Sequence, residues 1–157
     1  MHLDFSDVLD AHTRDGFFSG QSWRLSPRAF VLGAEQLKTI ETLGNACVHF
    51  YKACEQLYLK SALQKNILRN GQLRADWVAQ FLDRGKPAWL VEHARAKALH
   101  GQMPMLIRPD LIMTETGFAL TELDSVPGGV GITAFLNELY GEKEIVVGGK
   151  DAMIAGF

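Results

Sequence analysis

Cysteine is scarce in this chain: Cys47 and Cys54 are the whole complement among 157 residues. They lie seven positions apart in a stretch with helical spacing. At a rise of about 1.5 Å per residue their Cα atoms are roughly 10 Å apart, beyond the reach of a disulfide. Both read as small buried hydrophobes in a reducing, cytoplasmic setting. Long apolar runs are also missing. None approaches the roughly 18 residues of a membrane span, and the acidic start of the chain (Asp4, Asp7, Asp10) lacks the apolar core of a secretory signal. No excess of one charge is present: 16 Lys and Arg against 18 Asp and Glu leave a formal charge of −2. With no basic cluster interleaved by aromatics, nucleic acid is excluded as an expected partner. The five histidines have no metal-ligand spacing, and no metal is expected in this chain. Gly148-Gly149-Lys150 fails the phosphate-loop pattern, because Glu144 and Asp151 stand where glycine and Ser/Thr are required. Ser125 lacks the flanking glycines of a hydrolase nucleophile elbow.

What is present is the composition of a globular protein, 47% hydrophobic and 22% charged. At this length residues 1–157 are expected to form one domain, with 1–103 mainly helical and 104–157 carrying a β-hairpin, a glycine turn, a helix and a strand. Residues 1–24 read as irregular, tacked onto the core by Phe17-Phe18. Ser26-Pro27 suits a helix start or a turn. Residues 33–62 carry the strongest periodicity: Leu37, Ile40, Gly44, Cys47, Tyr51, Cys54, Tyr58 and Ser61 recur three and four apart, widened by Phe50 and Leu57. Such a seam must be covered by another element or a partner, and its aromatics read as core. Short helices are predicted over 74–82 and 88–100, the second ending at Gly101. Arg84 and Lys86 between them read as solvated turn charges. Residues 144–147 read as a buried strand. The apolar tail with Met153, Ile154 and Phe157 is expected to be buried against the chain itself or in a two-fold dimer.

Residues 108–140 carry the chemistry. Residues 111–114 and 118–123 alternate as strands do, and Glu115-Thr116-Gly117 forms a three-residue hairpin loop with Gly117 in the left-handed position. That loop sets Thr114 opposite Phe118, Ile112 opposite Leu120, Asp110 opposite Glu122 and Arg108 opposite Asp124. Leu120, Glu122 and Asp124 then share one face with Arg108 and Asp110. Asp110 against Glu122 is a like-charge pair, unfavourable unless a cation, a proton or Arg108 intervenes. The arrangement is either a solvated edge with an Arg–Asp pair or an acidic pocket for an amine or a metal ion. After Ser125, Gly128, Gly129 and Gly131 open the backbone at the start of a helix over 132–140, a natural place for a carboxylate or phosphate. A tight strand-to-helix connection is the plain alternative. Gly129-x-Gly131-x-x-Ala134 also matches the permissive dinucleotide fingerprint, with Asp151 about twenty residues on, although residues 124–127 separate the strand from the glycines.

The string Arg-Pro-Asp-Leu-Ile-Met-Thr from Arg108, followed by Gly-Phe-Ala-Leu-Thr-Glu-Leu-Asp-Ser-Val-Pro-Gly-Gly from Gly117, resembles the N-terminal region of glutathionylspermidine-synthase-like, circularly permuted ATP-grasp ligases. The match covers residues 108–131 and extends plausibly through 82–87. Asp124-Ser125 stands where many such proteins carry asparagine-based strings, which puts the identity of the acceptor in question. The resemblance implies a Rossmann-like pre-ATP-grasp domain, an α/β unit with a helical first half and a small mixed sheet, on the acceptor side of a carboxylate–amine ligase. It places substrate contacts on Arg108, Glu122 and Asp124. Asp110, Ser125, Gly128, Gly129 and Gly131 complete the expected substrate-binding set, with no catalytic residue. The nucleotide machinery has no counterpart here, so ATP and magnesium belong to a missing ATP-grasp domain. The chain alone is expected to be inactive, to take an amine or amino-acid-like substrate, and to be capable of homodimerising. A dinucleotide-binding module and a helical protein-interaction domain are the alternative readings.

Overall fold

The computed structural model describes Asp4 and residues 25–156; the expectation for Phe17-Phe18 and that for Phe157 lie outside the described residues. Among them the chain is mixed α/β, with five α-helices, one 3-10 turn and a two-stranded antiparallel sheet. The order is α1 (Ala34–Ala62), α2 (Asp76–Asp83), α3 (Ala88–Ala94), a 3-10 turn (Lys97–Leu99), β1 (Arg108–Thr114), β2 (Gly117–Asp124), α4 (Val130–Gly141) and α5 (Ala152–Ala155). No helix among the described residues is long and apolar enough to cross a membrane. Contacts group the chain into two compact units: Glu35–Ser125, and Met1–Ala34 with Val126–Phe157.

In the unit Glu35–Ser125, the seam of α1 buries Cys47 and Ser61, whereas Cys54 is exposed, contrary to its expected burial. Ser61, seven residues beyond Cys54 on the same seam, is buried again, so what decides burial is the neighbour beside each turn rather than the position on the seam. The other buried residues, Ala75 and Ala79, belong to the start of α2. Small side chains at both places let the two backbones approach closely. Ala75, the N-cap of α2, has no side chain able to cap. Ser61 supplies the missing group from α1: its hydroxyl donates to the Ala75 carbonyl at 2.5 Å and accepts from the Ala79 N–H at 2.9 Å. The intervening loop is gathered by Asn66, whose amide donates to the Leu68 carbonyl and accepts from the Leu73 N–H. The Gly101 N–H donates to Glu55 on α1 at 2.7 Å.

In the other unit, Pro27 and Arg28 form a bend, closed by the Arg28 N–H donating to the Ser26 hydroxyl, so the chain turns there and no helix starts. The Tyr140 hydroxyl on α4 donates to the Ser26 carbonyl. Burial raises the Tyr140 pKa, the nearby Glu144 carboxylate adds to that, and the bond to Ser26 opposes it. The expected buried strand over 144–147 does not form, and Ile145 is fully exposed. A β-branched apolar triplet is a strand only beside another strand that takes up its N–H and C=O groups. Here those residues turn instead, with Gly148 and Gly149 at φ 80° and 93° and the Gly149 N–H bonded to the Val146 carbonyl. In the tail, Met153 is half-buried and Ile154 is exposed, so the expected burial of Ile154 against the chain itself is not seen.

Gly141 ends α4 against Lys150: a Cβ built there would lie 2.4 Å from the Lys150 Cβ and 3.1 Å from its Cα. Gly141→Ala is therefore expected to destabilise this unit by about 1–3 kcal/mol through overpacking. Hydrogen exchange of the α4 amides checks this, and unchanged protection would show that the Lys150 turn moves aside freely.

Candidate functional site

The hairpin reaches its expected pairing by a different route. Its loop is the two-residue turn Glu115-Thr116, which pairs Thr114 with Gly117 and Ile112 with Ala119 rather than with Phe118 and Leu120. Gly117 is not the left-handed third residue of the loop that was expected: it opens β2 opposite Thr114, at φ 139°, a conformation that still favours glycine. Continued without interruption, that register would set Asp110 against Thr121 and Arg108 against Leu123. A β-bulge between Leu111↔Leu120 and Asp110↔Glu122 leaves Thr121 unpaired and shifts the ladder by one. The Thr121 hydroxyl donates to the Asp110 carbonyl at 3.0 Å and secures the bulge. Asp110 then faces Glu122 and Arg108 faces Asp124, as the sequence predicts.

At the open end of the hairpin, Arg108 Nε donates to Asp110 Oδ1 at 2.8 Å, and its Nη2 lies 3.6 Å from Asp124 Oδ2. The hydrogen bond to Asp110, with the fields of Asp110, Asp124 and Glu122, raises the pKa of the guanidinium. These pairs are largely solvated and therefore weak. Glu122 differs from its neighbours: among the described residues no hydrogen bond or ion pair engages its carboxylate. Among those residues no three His, Cys, Asp or Glu side chains converge closely enough to hold a metal ion.

Residues 120–123 of β2 also form one wall of a groove of about 390 Å3, whose other wall is Leu43, Ala46, Cys47 and Phe50 of α1. The bulge breaks the strict alternation expected of Leu120, Glu122 and Asp124, so four consecutive residues of β2 border the same space. The helical spacing of Cys47 and Phe50 was legible in the sequence, but Leu43 was not part of the expected seam and the apposition to β2 was not foreseen.

Ser125 is half-buried in the bend after β2. The glycine turn belongs to the other unit. Gly129, at φ 77°, precedes the first turn of α4 and its carbonyl accepts the Thr133 N–H. Nothing lies within 4 Å of a Cβ placed on Gly128, Gly129 or Gly131. Conformation alone therefore calls for glycine at 129, while 128 and 131 leave the backbone open to approach.

A second polar cluster, missed by the sequence reading, joins three helices of the first unit. The Tyr58 hydroxyl on α1 donates to Asp83 Oδ1 at 2.7 Å and accepts from Arg95 Nε at 3.2 Å, while Arg95 Nη2 pairs with Asp83 Oδ2. The guanidinium also lies 5.7 Å from the centroid of the Tyr58 ring. Burial raises the pKa of the Tyr58 hydroxyl, and the bond to Asp83 raises it further. A polar hydroxyl in an otherwise apolar seam was the available signal. Arg84 and Lys86, read as solvated turn charges, are exposed, and among the described residues they make no ion pair.

No protein-family model, no curated protein and no solved structure matches the chain.

Proposed function

We propose that this chain is the acceptor-substrate side of an ATP-dependent carboxylate–amine ligase similar to glutathionylspermidine synthase. In that reading it is a Rossmann-like pre-ATP-grasp domain in the cytoplasm, inactive alone, and ATP and magnesium are handled by an ATP-grasp domain of the parent protein. The observation that supports it most is the convergence of Arg108, Asp110, Glu122 and Asp124 at one end of the hairpin with Glu122 unengaged. A free carboxylate among partly neutralised ones suits the ammonium form of an amine, and it can accept the proton the amine must lose before attacking an activated carboxylate. Arg108 holds Asp110 and Asp124 in place. Within its own unit, the glycine turn at 128–131 suits an anionic group. The dinucleotide alternative has less support, because the strand it needs after α4 is not formed among the described residues.

Calorimetric titration with cationic amines, spermidine and 2-phenylethylamine among them, tests the proposal. Glu122→Gln is expected to weaken amine binding about tenfold, since a charge-assisted hydrogen bond contributes about 1.5–3 kcal/mol. Asp124→Asn is expected to weaken it less, because that carboxylate already faces Arg108. If both variants lower the melting temperature and leave binding untouched, the cluster is structural and the proposal fails.

A further inference from the structure

We infer that the acceptor held at Glu122 is an amphiphilic monoamine, with one ammonium group on an alkyl or aryl body, rather than a polyamine; the inference rests on the ligase reading above. Three observations carry it. First, Glu122 borders the groove between α1 and β2, so a ligand held at its carboxylate has that groove beside it. Second, apart from Glu122 and Thr121, the walls are apolar: Leu43, Ala46, Cys47, Phe50, Leu120 and Leu123. Phe50 is 58% exposed and Leu120 45%, so apolar surface on both walls stands open to a ligand. Third, the groove's volume of about 390 Å3 falls in the range of roughly 300–1,000 Å3 typical of small-molecule sites.

Charge disposition selects the ligand class. A polyamine carries a cation every few carbons and needs a carboxylate for each. Beyond Glu122 the described residues that line this groove offer none, and the two other carboxylates of the cluster already share Arg108. A second ammonium laid against Leu43 or Phe50 would lose hydration without a partner. An alkyl or aryl body loses unfavourable contact with water there and leaves its single ammonium at Glu122. Glu122 thus fixes the reacting nitrogen at the mouth of the groove, and the groove sets which amines are accepted.

Titrations of the chain with 2-phenylethylamine, its uncharged analogue 2-phenylethanol, and spermidine at low ionic strength decide the matter. The expected result is saturable binding of 2-phenylethylamine, with 2-phenylethanol and spermidine each at least about tenfold weaker. Glu122→Gln is expected to bring 2-phenylethylamine down to the level of 2-phenylethanol. Ala46→Trp fills the groove from an exposed helical position, and is expected to abolish binding of both phenyl compounds while circular dichroism stays unchanged. Spermidine binding as tightly as 2-phenylethylamine, or Ala46→Trp leaving phenylethylamine affinity intact, would overturn the inference. In that event a loss of spermidine binding in Glu122→Gln still upholds the ligase reading. Absence of binding by every amine defeats both.

Discussion

Replacing Ser61 by alanine is expected to lower the stability of the unit Glu35–Ser125 by about 1–3 kcal/mol, a large loss for the removal of one oxygen. Ser61 is 2% exposed, and its hydroxyl sits between the Ala75 carbonyl and the Ala79 N–H. The Ala75 carbonyl keeps a second donor, the Val78 N–H, when the hydroxyl is gone. The Ala79 N–H is left without its partner in a place that water does not reach. The damage is therefore local to the first turn of α2, whose own N-cap residue cannot replace the lost bond. A urea melt followed by helical circular dichroism measures the change. Amide exchange should show the Ala79 N–H losing more protection than the middle of α1. A midpoint within error of the parent chain would mean that α2 shifts to cap itself, and that the contact is dispensable.

Asp83→Ala is expected to cost a similar amount, towards the lower end of about 1.5–3 kcal/mol because Arg95 is more than a third exposed. Asp83 receives both the Tyr58 hydroxyl and the Arg95 guanidinium, so its removal leaves Tyr58 half-buried with one partner and frees α3 from α2. The same cluster predicts an alkaline limit. Burial and Asp83 raise the Tyr58 pKa above its ordinary value of 10.0, so at high pH the folded state holds a proton that the unfolded state has released. Its contribution is fully present below pH 10 and is lost as pH climbs through the raised folded value. Stability measured by urea titration should fall above pH 10, and Tyr58→Phe should flatten that fall. A Tyr58→Phe profile parallel to that of the parent chain would rule out this tyrosine as the cause. Tyr140, raised by burial in the other unit, supplies a separate transition that Tyr140→Phe would remove.

The sequence alone determined the elements whose signals are local. The long helix α1 was expected over 33–62 and spans Ala34–Ala62, because three-and-four spacing over eight turns admits one period only. The hairpin and the facing of Asp110 with Glu122 and Arg108 with Asp124 were likewise legible. Yet the pairing was reached through a longer loop than the one that forms. A shorter turn and a bulge at Thr121 compensate each other, and alternation on either side of a bulge looks the same in one dimension.

Tertiary structure decided everything that depends on a neighbour distant in sequence. Ile145 and Val147 have strand-forming side chains but no strand beside them, so their backbone turns instead. Cys47 and Cys54 occupy equivalent places in one seam, and only what packs beside each turn buries the first and leaves the second exposed. Ser61 looked like one more small residue in that seam; the approach of α2 made it a cap for another helix. Tyr58, Asp83 and Arg95 come from three helices, so no spacing within any one of them announces the cluster. The groove at Glu122 has the same origin: helical spacing lined up Leu43, Cys47 and Phe50, but packing against β2 set a carboxylate at their edge. Periodicity states which side chains share a face of one element, and the free energy of packing two faces selects which of them meet.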